Sequence, residues 1–218
     1  MRTVFISGFW GLLALIWIFM GSLYLQGSRP MNDDTNLQIF EVESGMTLKR
    51  VAQKLSNQKL IRSASAFQAI GLIQNKQKLI MVGEYHISPS MLPVEILQRI
   101  TSGKTILYPV TIPEGYRIIE IANLLEEQGL ANKDVFLQQS KNLKLMEGVP
   151  VDSLEGYLFP ETYNFSKSTS EATIIKKMVD TFKEKAWKKK YRDRAIELGF
   201  SFHEIITLAS LIEKETGK

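Results

Sequence analysis

The sequence has no cysteine and only two histidines, His86 and His203. A chain without cysteine forms no disulfide, so its stability must come from packing alone. Zinc sites draw mainly on cysteine and histidine, and two histidines so far apart give such a site almost no support. Neither histidine stands in the context of a nucleophile elbow, which argues against Ser-His-Asp catalysis.

A strong excess of one charge is also missing. The 218 residues include 27 basic and 23 acidic side chains, which gives a net charge of +4. The most basic stretch, at residues 188–194, is interrupted by Asp193 and followed by Glu197, which is typical of a solvated helix face. We therefore expect no nucleic-acid partner. With 44% hydrophobic and 23% charged residues, the chain is neither disordered nor collagen-like.

Charged residues are absent from positions 4–25. A helix of that length crosses the roughly 30 Å hydrocarbon core of a bilayer. The run is longer than the core of a signal peptide and lacks a clean small-x-small cleavage site, which favours an uncleaved anchor over a cleaved signal. Arg2 before it, with Asp33 and Asp34 after it, favours a cytoplasmic N-terminus and an exported body. We expect a stub and anchor at 1–25 that contacts the lipid bilayer through residues 4–25, then a polar linker at 26–37.

Two segments of the chain resemble each other at an offset of 70 positions, residues 40–60 and residues 110–130. Each predicts a short strand, a turn at Gly45 or Gly115, and an amphipathic helix. Chance similarity between two short amphipathic helices is the alternative. A second helical pattern and a strand-like run at 79–87 follow the first copy, and this strand-helix-helix-strand order loosely resembles a LysM-type module. Such a module suggests glycan binding.

Residues 149–165 are rich in glycine, proline and aromatic side chains and predict an irregular loop. Sugar sites often combine aromatic faces, which stack on pyranose rings, with carboxylates that accept hydroxyl hydrogen bonds. Glu155, Glu161 and Tyr163 are therefore candidate substrate-binding residues. The alternative is a loop whose aromatic side chains cover the core.

The last helix contains a carboxylate on its apolar side. Ser201 and Glu204 form a capping box that predicts its start. At 100° per residue, Glu213 falls between Phe202 and Ile206, inside the apolar stripe. A buried carboxylate is costly unless it is paired or protonated, and desolvation raises its pKa. Glu213 is thus a candidate acid, with a buried salt bridge as the alternative.

Three motifs resemble the endolytic murein transglycosylases, the YceG-like family. They are LASLIEKETG at 208–217, LEGYLFPETYNF at 154–165 and the PEG turn at 113–115. The resemblance implies an α+β fold with one N-terminal transmembrane helix, a LysM-like βααβ module at 38–103 and the first part of a catalytic domain at 104–218. In this family the first glutamate of the E-K-E triplet is the catalytic acid/base, which implies that role for Glu213.

The implied reaction cleaves the β-1,4 bond between N-acetylmuramic acid and N-acetylglucosamine and forms a 1,6-anhydro end, with no metal or organic cofactor. The implied partners are peptidoglycan glycan strands and cell-wall synthases, and the implied location is the cell (inner) membrane, with the body periplasmic or extracytoplasmic. Two alternatives stay open, a non-catalytic peptidoglycan-binding protein and a two-carboxylate glycoside hydrolase. Because the family's domain continues past this helix, we expect little activity from the 218-residue chain.

Overall fold

The computed structural model describes residue 21, residues 27–146 and residues 153–216. The chain divides into two compact units between Ile106 and Leu107. Apart from Gly21, which is helical, the predicted anchor at 4–25 lies outside the described residues. Within the described part, no single helix has the length and apolar composition to span a bilayer. Lys189–Glu197 and Phe202–Glu213 pass that test only together, across a 94° bend.

The first unit has a βααβ core followed by one more helix. The two strands pair antiparallel, with Gln38 opposite Ile87, and the order confirms the one predicted from sequence. The second strand begins only at Gly83, so the prediction that it starts at residue 79 was wrong. The elements are β1 (Gln38–Val42), α1 (Leu48–Asn57), α2 (Ala64–Ile73), β2 (Gly83–Ile87) and α3 (Pro93–Thr101).

A segment ahead of β1, residues 27–36, is packed onto the first unit, and we call it the strap. Its backbone exchanges hydrogen bonds with the turn after β2, from Met31 N–H to the Pro89 carbonyl at 2.9 Å and from Ser90 N–H to the Asp34 carbonyl at 3.0 Å. Arg62 Nε donates to the carbonyl of Pro30 at 2.6 Å. The stretch predicted as a linker is therefore held against α2 and the β2 turn.

The second unit also contains a two-stranded antiparallel sheet, with Tyr108 opposite Phe165. The prediction of an irregular loop over 149–165 was wrong at its C-terminal end, because Thr162–Phe165 pair with the earlier strand. The mixture of helices and small sheets confirms the α+β class. The elements are β3 (Tyr108–Thr111), α4 (Ile118–Glu127), α5 (Lys133–Gln139), a 3-10 turn (Leu143–Met146), β4 (Thr162–Phe165), α6 (Glu171–Lys185), α7 (Lys189–Glu197) and α8 (Phe202–Thr216).

The repeat predicted from sequence is confirmed at the level of packing. α1 and α4 each have ten residues, and their bounds differ by the same offset of 70 positions as the sequence copies. Gly45 and Gly115 precede them with φ values of 76° and 74°. Each helix directs its apolar stripe into the core of its own unit; the buried residues are Leu48, Val51, Ala52 and Leu55 in α1, and Ile118, Ile121, Ala122 and Leu125 in α4.

Both repeat helices also end in the same way. Leu60 N–H donates to the Leu55 carbonyl at 2.9 Å, and Leu130 N–H donates to the Leu125 carbonyl at 2.8 Å. This six-to-one bond needs a left-handed residue just before it. Gly129 fills that place in α4 with φ 65°, but Lys59 fills it in α1 with φ 55°.

Candidate functional site

The helix that carries Glu213, α8, begins with the capping box predicted from sequence. Glu204 Oε2 accepts hydrogen bonds from Ser201 N–H at 2.7 Å and Ser201 Oγ at 2.8 Å, and Glu204 N–H donates back to Ser201 Oγ at 3.2 Å. The backbone hydrogen bond from Ser201 is the main cause of a lowered pKa at Glu204. These bonds satisfy amide groups that a helix start leaves unpaired.

Aromatic side chains hold the first turns of α8 against the unit. Phe202 packs edge-on against Trp187, with ring centroids 4.5 Å apart, and against Phe182 at 6.4 Å. Tyr157 meets the same Phe182 ring at 5.1 Å. The apolar area that these rings bury is what attaches α8 to the core.

A buried tyrosine joins the LEGY motif to α8. Tyr157 is fully buried, and its hydroxyl shares a 2.8 Å hydrogen bond with His203 Nδ1. Burial raises the pKa of Tyr157 to about 12, so its hydroxyl stays neutral at physiological pH. No local sequence pattern indicates this pair, because its members are 46 positions apart.

The glycine of the LEGY motif allows the loop to approach α8 closely. Gly156 has φ +81°, and a Cβ built on it would lie 3.2 Å from Ile206 Cγ2. A side chain here would be strained by the backbone conformation and would press on α8. Gly156 and Tyr157 together therefore fix where the N-terminal half of this helix lies.

The PEG turn faces the carboxylate of α8. A Cβ built on Gly115 would lie 4.0 Å from Glu213 Oε1, and among the described residues this is its one contact within that distance. The second unit thus brings all three motifs together. The PEG turn lies beside Glu213, and the LEGY loop lies beside His203 and Ile206.

The burial predicted for Glu213 was wrong. Its side chain is exposed, as are Ala209 and Ile212 on the same helix. The helical periodicity correctly placed Glu213 on the same side of α8 as Ile206. Glu213 faces the PEG turn, and Ile206 faces the LEGY loop. The N-terminal half of that stripe is better covered than the C-terminal half, because Phe202 and Ile206 pack against the core whereas Ile212 is 54% exposed.

The three candidate substrate residues occupy different environments. Both carboxylate oxygens of Glu155 accept from Ile118 N–H, at 3.2 and 3.3 Å, so this residue caps α4. Glu161 is exposed and pairs with Lys185 at 3.3 Å. Tyr163 is only 4% exposed, donates its hydroxyl to the Phe159 carbonyl at 2.7 Å, and has its pKa raised to about 12, mainly by burial. The hypothesis that its ring stacks on a sugar does not fit this core position.

Within the described part of the chain, no metal cluster lies at these motifs, and the pocket near α5 and α6 lies away from them. The described residues include no group of three or more metal-ligating side chains in reach of one ion. A pocket near α5 and α6, lined by residues such as Gln139, Asn142 and Thr173, contains no residue of the three motifs. The candidate site is therefore the open surface around Glu213 and the PEG turn.

Comparison of the sequence with known protein families gives a match that includes all three motifs. The profile of the YceG-like family matches residues 40–218, which is most of the chain and includes both units. The chain belongs to the YceG-like family. Membership in this family accounts for the three motifs being found in one chain.

Relatives of this YceG-like chain include proteins named endolytic murein transglycosylase. One from Bacillus subtilis is 28% identical over 91% of this chain and 60% of its own length. Another from Streptococcus pneumoniae is 28% identical over 81% of this chain and 37% of its own length. The chain also matches a crystal structure of a YceG-like protein from Listeria monocytogenes, with 28% sequence identity and a TM-score of 0.43. The match covers 83% of this chain and 64% of the Listeria chain. The chain thus spans 60% of the length of the Bacillus subtilis relative and 37% of the Streptococcus pneumoniae one.

Proposed function

We propose that this protein is a membrane-anchored endolytic peptidoglycan transglycosylase in which Glu213 is the catalytic acid/base. The observation that carries the proposal is the approach of the PEG turn to Glu213, since a Cβ on Gly115 would come within 4.0 Å of its carboxylate. A glycine without a side chain leaves room for a sugar ring beside the acid. The names of the relatives support murein as the substrate class.

The chemistry requires one carboxyl group in two protonation states. Protonated Glu213 donates its proton to the glycosidic oxygen between N-acetylmuramic acid and N-acetylglucosamine as that bond breaks. The muramic residue passes through an oxocarbenium-like state. The carboxylate then takes the proton of the C6 hydroxyl, whose oxygen attacks C1 and closes the 1,6-anhydro ring. Glu213 is reprotonated in this last step, so no water, metal or organic cofactor is consumed.

The exposure of Glu213 suits a site that is completed by its substrate. Desolvation of a carboxyl group favours its protonated form. A glycan strand lying over α8 and the PEG turn would remove water from this group. We propose that substrate binding supplies the burial that the free protein lacks.

The proposed location follows from the charge-free run at 4–25, which tethers the body to the outer face of the cell (inner) membrane. A tethered enzyme of this class acts on glycan strands close to the bilayer, where cell-wall synthases are its proposed partners. In this arrangement the first unit contacts glycan as a LysM-like module and the second unit performs the cleavage.

The decisive experiment is mass analysis of peptidoglycan digested with Glu213→Gln and wild-type protein. Glutamine keeps the volume and the hydrogen-bonding head of the side chain but cannot transfer the proton, so anhydro ends should fall at least about a hundredfold. Glu215→Gln is the matched control, because it removes an exposed carboxylate from the same helix. Reducing ends would indicate a two-carboxylate hydrolase, and the absence of any product would indicate a binding protein.

The same variants are measured in two contexts, because the chain spans 60% of the Bacillus subtilis relative. One is the 218-residue chain, and the other is that relative with its matched segment replaced by this chain. Leu211 and Ile212 in the C-terminal half of α8 are 57% and 54% exposed, so we expect less product from the chain than from the chimera. A chimera whose anhydro product survives Glu213→Gln would refute the role of this residue.

A further inference from the structure

The end of the predicted anchor is attached directly to the first unit. The apolar part of the charge-free run ends at Leu25, and Gly27 lies two residues later. Gly27 is buried against Ala66 in the first turn of α2, where a Cβ on the glycine would overlap that of Ala66. Two residues span at most about 7 Å. Since the strap is also hydrogen-bonded to the unit, α2 cannot move far from the point where the anchor ends.

The other end of α2 carries exposed aliphatic side chains. Leu72 and Ile73 are 57% and 68% exposed, and Leu79 is 52% exposed. A tight turn joins them, with Lys76 N–H bonded to the Gly71 carbonyl at 2.8 Å and Leu79 N–H bonded to the Lys76 carbonyl at 3.0 Å. We call residues 72–79 the α2 tip. Three large aliphatic groups together on a surface indicate an interaction site more than single ones do.

The charge around this tip has one sign. Between positions 44 and 83 the sequence contains seven lysines and arginines and no aspartate or glutamate. One of the seven, Lys54, pairs with Glu43 outside the stretch. Lys76 and Lys78 belong to the tip itself. Exposed aliphatic side chains in a stretch of sequence whose charges are all positive are the composition of segments that lie in the interface of an anionic bilayer.

We propose that the first unit docks on the bilayer through the α2 tip, with its leucine and isoleucine side chains in the interface and its lysines on anionic phospholipid headgroups. The proposal rests on the tether of the proposed function, which brings α2 to the membrane. The α2 helix has ten residues and is about 15 Å long. Because the anchor ends close to Ala66 at one end of α2, the α2 tip at the other end also reaches the membrane surface when the helix lies along it.

Two other occupants fit these residues less well. A glycan would need aromatic faces, and the sequence from position 68 to position 84 contains no Phe, Trp or Tyr. A second copy in a two-fold dimer would bring the same cationic stretch against itself, and like charges repel. Docking on anionic lipid therefore accounts for both the aliphatic and the basic side chains.

The absence of cysteine allows a direct test with single labels. The full chain carrying Ile73→Cys, labelled with an environment-sensitive fluorophore, is placed in nanodiscs of phosphatidylcholine alone or with an equal part of phosphatidylglycerol. We expect a blue-shifted emission and quenching by lipid-borne quenchers in the anionic discs. The control label is Ile39→Cys, which is 56% exposed and alternates with the buried Phe40 and Val42 on β1, and this label should remain in water.

Charge variants identify what the tip binds. Lys76→Gln and Lys78→Gln should each lower the ratio of docked to undocked chains in anionic discs by about fivefold. As controls, Lys141→Gln and Lys183→Gln each remove one positive charge from an exposed site in the second unit. Neither should change the ratio of docked to undocked chains.

Several results would overturn the proposal. A label at position 73 that is as water-exposed as the label at 39 would show that the tip does not dock. A shift independent of lipid charge, with two chains per disc, would indicate a second copy instead. A chain that fails to enter discs at all would refute the tether of the proposed function, whereas an inserted chain with an undocked tip would refute only the docking.

Discussion

Two equivalent positions of the repeat have the same backbone conformation but different side chains. Lys59 and Gly129 both follow a repeat helix with positive φ, at 55° and 65°. A residue with a Cβ pays about 1–2 kcal/mol in this region relative to the right-handed one, and glycine does not. The first unit therefore tolerates a strained lysine where the second unit has relieved the strain.

We predict that Lys59→Gly stabilises the first unit by about 0.5–1 kcal/mol, since relief of the strain is partly offset by the greater freedom of glycine in the unfolded chain. Chemical denaturation of the full chain, followed by a probe in the first unit, measures this change. Gly129→Lys is the matched control and should destabilise the second unit by a similar amount. A loss of stability in Lys59→Gly would show that the side chain contributes more than its backbone costs.

At the scale of elements, α8 is supported unevenly. Its N-terminal half has a capping box, an aromatic cluster and the hydrogen bond from Tyr157 to His203. Its C-terminal half, which carries Glu213, is exposed except for the approach of the PEG turn. Contacts in the first half therefore determine where the carboxylate lies, although they are several turns away.

We predict that Tyr157→Phe destabilises the second unit by about 1 kcal/mol, because the ring stays packed but His203 loses its buried partner. The variant should also change the response to alkali. The pKa of Tyr157 is raised to about 12 in the folded protein from 10.0, so its contribution is fully present below pH 10 and is lost as the pH rises toward 12. Removing the hydroxyl should therefore flatten the decline in stability over that range.

Denaturant titrations from about pH 9 to about pH 11 measure both effects. Tyr191→Phe is the control, since Tyr191 is exposed and should leave the pH profile unchanged. An identical alkaline decline in wild type and Tyr157→Phe would mean that Tyr157 is not protected from ionisation by the fold.

At the scale of the whole molecule, the chain consists of two units that each have an apolar core of buried side chains. Each contains the same strand, glycine turn and helix, although only the second brings a motif carboxylate to that turn. The repeated element thus serves as a scaffold in both units, and the chemistry depends on the helices added after it in the second.

We predict that a reporter fused after Lys218 is active only if it works outside the cytoplasm, because the charge-free run at 4–25 is the proposed anchor and the body after it is proposed to be exported. Paired fusions to a cytoplasmic and an exported reporter measure the orientation. Deleting residues 4–25 should reverse the result and keep the exported reporter silent. Cytoplasmic activity of the intact fusion would refute the predicted topology.

The sequence by itself determined the features that depend on local chemistry. Its offset of 70 positions located the two repeat helices, and Ser201 with Glu204 located the start of α8. The three motifs also indicated the family that the profile match later established. These features could be predicted because a helix stripe, a glycine turn and a cap are each encoded within a few neighbouring residues.

Only the tertiary structure decided which of these features meet and which are buried. Helical periodicity correctly placed Glu213 on the side of Ile206, but it could not show that the carboxylate itself is exposed. The sequence left open whether the aromatic side chains of residues 149–165 bind sugar or cover the core, and the structure buries Tyr163 in the core. Nothing in the sequence indicated that Tyr157 would bond to His203. A side chain's burial depends on what packs over it from distant parts of the chain, and residues 46 positions apart carry no local signal of their contact.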